Sequence, residues 1–212
     1  MTPTVKQPLF IVTGASGVGK SSACEVLFKQ EKDYIVLESD ILWNPVYDGP
    51  PDDGYRAYRE VWLNMCANVS QIGKPCVLCG CCEPRHFEVC DARKFFTVLH
   101  YAAVVCRNDI LEHRMRVGRG IADDNWIHGS QFFNQWLIEN AEQTEPPMTL
   151  VDSSDLTPEK AAIQLDRWIR ERINAAICSL STCEMLFSGV GRFSGRVPPT
   201  RLIAARTSRP TT

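Results

Sequence analysis

The chain has no apolar run near the ~18 residues that a membrane span needs. Met1 to Gln7 carry no apolar core of the kind a secretory signal has. Both absences read as a cytoplasmic protein without a membrane partner. An excess of positive charge is missing too: 23 Lys and Arg stand against 25 Asp and Glu, a net charge of −2. No global basic field gathers nucleic acid, and no clear nucleic-acid binding is expected. Of the ten cysteines, Cys76, Cys79, Cys81 and Cys82 form C-x-x-C-x-C-C, and Cys90 follows. A second, well-separated pair is absent, so the pattern lacks the paired knuckles of a structural zinc site. Cys76 and Cys79 fall within an apolar run, where unpaired cysteine is commonly buried. In a cytoplasmic chain the thiols are expected to be reduced. The four histidines have no sequence partner that marks them as catalytic.

What is there is dominated by Gly14-Ala15-Ser16-Gly17-Val18-Gly19-Lys20-Ser21, a complete G-x-x-x-x-G-K-[ST]. The apolar run Leu9 to Val12 precedes it and a helix-like segment follows, with Ala23, Val26 and Leu27 at helical spacing. Strand, glycine-rich loop and helix in this order cradle phosphate: backbone N–H groups turn inward and the helix N-terminus faces the anion. Residues Gly14 to Ser22 are the expected nucleotide-binding loop. Lys20 is expected on the β- and γ-phosphates and Ser21 on Mg²⁺. The implied cofactors are ATP and Mg²⁺.

At 212 residues and 44% hydrophobic, the chain suits one α/β domain with a tail or small insertion. Tyr34 to Leu37 reads as a second buried strand and ends in Glu38-Ser39-Asp40. On an extended chain Glu38 and Asp40 share a face, at the strand end where ligands sit in doubly wound sheets. Two carboxylates there suit a metal role for Glu38 and a proton-accepting role for Asp40; Asp40 could equally cap the next turn. Asn44 to Asp53 is a loop rich in Pro, Gly and Asp. The helix after it has Tyr55, Tyr58, Trp62, Met65 and Val69 on one face. Arg56 and Arg59 lie on its other side, as solvated charges or as a grip on an anionic acceptor. Pro75 to Gly80 is the third strand and Val98 to Cys106 the fourth.

Arg107, Arg114, Arg116 and Arg119 then crowd a segment that suits either a lid closing on phosphates, around 107–125, or an ordinary basic helix face. Phe133, Trp136, Leu137 and Asn140 outline a further helix with Ser130 a candidate cap. Met148 to Val151 is the fifth strand, with Asp152 and Ser153 at its active end. Thr157-Pro158-Glu159 starts the last helix, whose buried stripe is Ala162, Leu165, Ile169 and Ile173. From about Ala176 periodicity weakens, and after Glu184 come five arginines and no acidic residue. The expected division is a domain over 1–175 and a disordered or loosely packed tail over 176–212.

The phosphate loop, Glu38-x-Asp40, the arginine cluster and Val151 to Glu159 together resemble the small P-loop kinases. That group includes shikimate, gluconate and adenylylsulfate kinases, chloramphenicol phosphotransferase and nucleoside monophosphate kinases. The resemblance spans about Leu9 to Ile173. It implies an α/β/α P-loop fold with a five-stranded parallel sheet in order 2-3-1-4-5. Glu38 and Asp40 match the D-x-D that these kinases carry after the second strand, with Glu replacing the first Asp. Arg114 matches a lid arginine, as Arg116 and Arg119 do less closely, and Asp152 to Ser154 match the loop that borders adenine. The triple glycine of shikimate kinase is missing after the third strand.

The expectation is an ATP-dependent phosphotransferase with Lys20, Asp40 and Arg114 as catalytic residues. Its acceptor would be a small molecule, a nucleoside or nucleotide first, and the chain a monomer or homodimer. The alternatives are an NTP-hydrolysing switch, which Gly80-Cys81-Cys82-Glu83 does not favour because D-x-x-G is missing, and a nucleotide-binding regulator.

Overall fold

A computed structural model describes residues 5–30, 33–42 and 55–188, the side chains at 41, 42 and 176–188 excepted. The expected loop Asn44 to Asp53 and the tail beyond 188 lie outside the described residues. Five strands alternate with helices: β1 (Leu9–Thr13), α1 (Lys20–Gln30), β2 (Ile35–Glu38), α2 (Arg56–Val69), β3 (Cys76–Cys79), α3 (Pro84–Glu88), β4 (Leu99–Val105), α4 (Asn108–His113), α5 (Asp124–Asn140), β5 (Met148–Asp152) and α6 (Pro158–Ser188). The strands form one sheet in order β2-β3-β1-β4-β5, and every pairing is parallel. This is the expected order.

The sheet is apolar on both faces because helices cover both. Phe10 and Val12 point to one layer, with Ala23 and Leu27 of α1 and Leu165 and Ile169 of α6. Leu9 and Ile11 point to the other, with Trp62, Leu63 and Cys66 of α2 and Leu137 of α5. The described residues up to Ile173 form one compact unit, and α6 is described as far as Ser188. That helix runs past the Ala176 boundary expected for the tail.

Four local expectations change. The inner face of α2 runs through Tyr58, Arg59, Trp62, Leu63 and Cys66, so Arg59 is buried while Tyr55 and Met65 are exposed. Glu38 and Asp40 do not share an extended face, because the strand stops at Glu38 and Ser39–Leu42 is a 3₁₀ turn. Asp123, not Ser130, caps α5, accepting from the N–H groups of Asn125 and Trp126; Ser130 sits inside the helix and donates to Trp126 O. A disulfide joins Cys24 of α1 to Cys79 of β3, against the reduced state expected. Both residues lie in the same buried layer, where α1 crosses the sheet.

Asn134 is a structural residue that apolar periodicity does not reveal. It is fully buried on α5. Its Nδ2 donates to Cys106 O (2.7 Å) and Asn108 Oδ1 (2.9 Å), and its Oδ1 accepts from Cys106 N (3.2 Å). It thereby ties α5 to the end of β4 and the start of α4. Asn134→Ala leaves buried backbone groups unpaired and should cost about 2–3 kcal/mol in urea unfolding. Gln135→Ala, on the exposed side of the same helix, should stay within about 0.5 kcal/mol.

Candidate active site

Parallel strands all end on one edge, and the glycine-rich loop leaves β1 there. Gly17 has φ +85°, and a Cβ on it would lie 2.7 Å from Met115 Cγ; only glycine fits this turn against the segment after α4. The loop is held from outside by its Val18 carbonyl. Ser153 Oγ donates to that carbonyl at 2.5 Å and Arg114 Nη1 at 3.0 Å, while Arg114 Nη2 donates to Ser153 O at 2.9 Å. The ends of β1 and β5 and the arginine segment thus form one clamp.

A cavity of about 620 Å³ lies over the loop. Gly14 through Ser22, Asp40, Arg114 and Ser153 form much of its wall, which brings most of the expected site residues together. Asp152 stands outside this wall; its Oδ1 accepts from the Ser154 N–H (2.9 Å) and hydroxyl (2.6 Å). Of the four arginines, Arg114 and Arg119 face the cavity. Arg107 pairs with Asp155, and Arg116 with Glu112 and Asp124. Of the far wall, Trp126 and Ala161 were not singled out from sequence, whereas Leu156 to Pro158 lie in the Val151 to Glu159 stretch that carries the resemblance.

Lys20 is buried and its Nζ is 3.9 Å from Glu38 Oε1. Among the described residues that oxygen is buried without a hydrogen-bond partner. Burial pushes the Glu38 carboxyl above its ordinary range, against the pull of Lys20 and the Ser21 hydroxyl nearby. An orphaned hard oxygen beside a serine hydroxyl fits Mg²⁺, which takes one or two protein oxygens and keeps its waters. Asp40 is exposed at the head of the 3₁₀ turn and faces the large cavity.

A second cavity, about 230 Å³, opens beside the first; Cys81 stands in the walls of both. Its floor is built by ties between β1 and β3. Gly80 N donates to Val12 O (3.0 Å), and the Thr13 hydroxyl donates to Cys82 O (2.7 Å) and accepts from Cys82 N (2.9 Å). A Cβ on Gly80 would lie 2.5 Å from Ser39 Oγ, so glycine lets the two strand ends close up. The Tyr58 hydroxyl donates to Ser39 O. Tyr58, Arg59 and Trp62 of α2 form the opposite wall.

The architecture matches solved structures at low identity. A gluconokinase from Sinorhizobium meliloti 1021 is 17% identical, with 81% of this chain and 97% of that one covered and a TM-score of 0.60. The Deinococcus radiodurans tunicamycin resistance protein is 15% identical, covering 78% and 96%, with a TM-score of 0.57. A shikimate kinase from Acinetobacter baumannii, in complex with shikimate, is 13% identical, covering 80% and 96%, with a TM-score of 0.52. The chain has the fold of the small P-loop kinases. No protein-family model matches the sequence, and no curated protein does. Among the described residues, no helix is long and apolar enough to cross a membrane.

Within this P-loop kinase fold the clamp distinguishes two neighbouring arginines. Arg114→Ala removes the donors to Val18 O and Ser153 O and should weaken Mg·ADP binding about ten-fold or more, read by titration calorimetry. Arg116→Ala breaks only exposed ion pairs and should leave binding within about two-fold.

Proposed function

We propose that the protein is an ATP-dependent phosphotransferase acting on a small hydroxyl-bearing molecule. The observation that carries this is the pair of adjoining cavities, one over the phosphate loop and one large enough for a ring-sized acceptor, with Asp40 beside their junction at Cys81. A hydrolase needs room for a water; a second formed cavity suits an acceptor.

The loop N–H groups and Lys20 bind the triphosphate, and Arg114 and Ser153 hold the loop in its binding shape. Ser21 and Glu38 would hold Mg²⁺, which when bound neutralises phosphate charge and orients its oxygens. Asp40 orients the acceptor hydroxyl and takes its proton as that oxygen bonds to the γ-phosphorus. The bond from the γ-phosphorus to the bridging oxygen breaks, and ADP leaves. Positioning and electrostatics account for the rate, with no covalent enzyme intermediate. The wall of Trp126, Leu156 and Pro158 suits the base, and Arg119, stacked on Trp126 at 5.6 Å, extends that wall.

A nucleoside acceptor, expected from the sequence, would bring a ring of suitable size. A nucleotide would add a dianionic phosphate near a wall whose one buried arginine is Arg59. The reading has support from neighbours that are a gluconokinase and a shikimate kinase by name.

Lys20→Ala should lower acceptor-dependent ADP formation by about 10²-fold or more. Asp40→Asn should leave Mg·ATP affinity within about two-fold and lower transfer by about 10²-fold. Transfer that persists in Asp40→Asn would remove Asp40 from the mechanism.

A further inference from the structure

We propose that the Cys24–Cys79 disulfide is a redox control on the nucleotide site. The bonded form holds α1 where the phosphate loop binds, and reduction to two thiols weakens nucleotide binding. The control acts on nucleotide affinity and does not depend on whether phosphate is later transferred.

Cys24 lies one helical turn past Lys20 on α1, so the two side chains share a face, and both are buried. Cys79 is the last residue of β3, in register with Val12 of β1 and Glu38 of β2. The first turn of α1 reaches β2 through Lys20 and Ser21, which both act on Glu38. At 3.9 Å the Lys20–Glu38 contact is long for a charge-assisted hydrogen bond. The second turn reaches β3 through a covalent bond. Lys20, Glu38, Cys79 and Cys24 thus close a ring through α1, β2 and β3, and the disulfide is its firmest side.

The opposite face of β3 carries a comparison. Cys76, at the start of the strand opposite Leu9, meets Cys66 of α2, and both are thiols. Cys76 Sγ donates to Cys66 O at 3.5 Å and lies 3.3 Å from Ser70 Oγ. The bonded pair is therefore at the loop end of the strand and the unbonded pair at the other end. Unbonded sulfurs meet at van der Waals contact, farther apart than bonded ones. Cys24 and Cys79 sit in a buried layer with Val12, Ala23, Leu27 and Val36. Close packing leaves no spare room there for the longer separation. On reduction α1 shifts against β3 and carries Lys20 and the loop N–H groups away from their places beside Glu38. Misplacement of about 1 Å is costly for positioned groups.

A dithiol supplies the chemistry. Its thiolate attacks one sulfur of the pair, the Cys24–Cys79 bond breaks, and its second thiol closes the reductant's own disulfide. Two electrons and two protons pass to Cys24 and Cys79. Both sulfurs are buried, so attack awaits a local opening, which bound nucleotide opposes. By linkage, nucleotide favours the disulfide by the same factor by which the disulfide favours nucleotide.

The test uses the full chain, oxidised and after exhaustive reduction with dithiothreitol, each state verified by alkylation and peptide mass mapping. Calorimetry with Mg·ADP should give an affinity about ten-fold lower for the reduced chain. In dithiothreitol redox buffers, saturating Mg·ADP should lower the reduction potential of the pair by about 30 mV, the two-electron equivalent of ten-fold. The double variant Cys24→Ala, Cys79→Ala should lose the response to dithiothreitol, and Cys66→Ala, at the unbonded pair, should keep it. If the double variant does not fold, the two states of the unaltered chain decide. Equal affinities in the two states, or a potential that Mg·ADP leaves unchanged, would overturn the proposal. So would a chain that keeps both thiols free in oxidised dithiothreitol, or one that binds Mg·ADP in neither state. A response that survives in the double variant, or is lost in Cys66→Ala, would assign the effect to other thiols and overturn it as well. Redox-dependent affinity in a chain that forms no phosphate ester sinks phosphotransfer and leaves the control standing. Phosphate transfer with equal affinities in the two states does the reverse.

Discussion

The Val18 carbonyl is the point on which the site depends. A glycine-rich loop has many conformations, and binding phosphate requires one in which its N–H groups face inward. Turning the N–H groups in turns carbonyls out, and an outward carbonyl needs a donor. Ser153 from the end of β5 and Arg114 from the segment after α4 both supply one. Two parts of the chain far from the loop in sequence therefore hold its shape before any nucleotide arrives. The parallel sheet makes this possible, because β1 and β5 end on the same edge.

The same edge builds the smaller cavity by a different device. Gly80 admits Ser39, the Thr13 hydroxyl bridges both backbone groups of Cys82, and the Tyr58 hydroxyl meets Ser39 O. These contacts set the ends of β1, β2 and β3 against one another and bring Cys81 between the two cavities. Electrostatics then differ sharply across the junction. Lys20 has Glu38 as its counter-charge at 3.9 Å, whereas buried Arg59 has neutral partners alone among the described residues. Among the described residues the first is balanced by a side chain and the second is not.

The sheet was legible in the sequence because each strand is a short apolar run, and a strand covered on both faces must be apolar throughout. The loop was legible because its chemistry fixes its spacing. What escaped notice were residues whose role depends on a partner distant in sequence. Asn134 looks like an ordinary polar helix residue until Cys106 and Asn108 are beside it. Thr13 is simply the residue after a strand until Cys82 folds over it. Arg59 was placed on the outer side of α2 because aromatic spacing suggested Tyr55 and Met65 as inner positions; the helix is rotated from that face, and arginine is rarely so buried. Asp152 was matched by resemblance to a base-bordering position, but its carboxylate is engaged by Ser154 two residues on, a local turn that a motif does not distinguish from a ligand contact.

In the phosphotransferase reading the loop cavity delivers phosphate to a molecule in the adjoining cavity. The direct measurement is the fate of the γ-phosphate, followed by phosphorus NMR while the protein turns over Mg·ATP with ring-bearing hydroxy acids, nucleosides and sugar acids offered in turn. A new phosphate-ester resonance should grow in step with ADP for one acceptor class and be absent in Asp40→Asn. Growth of inorganic phosphate alone, at one rate whichever acceptor is present, would contradict it.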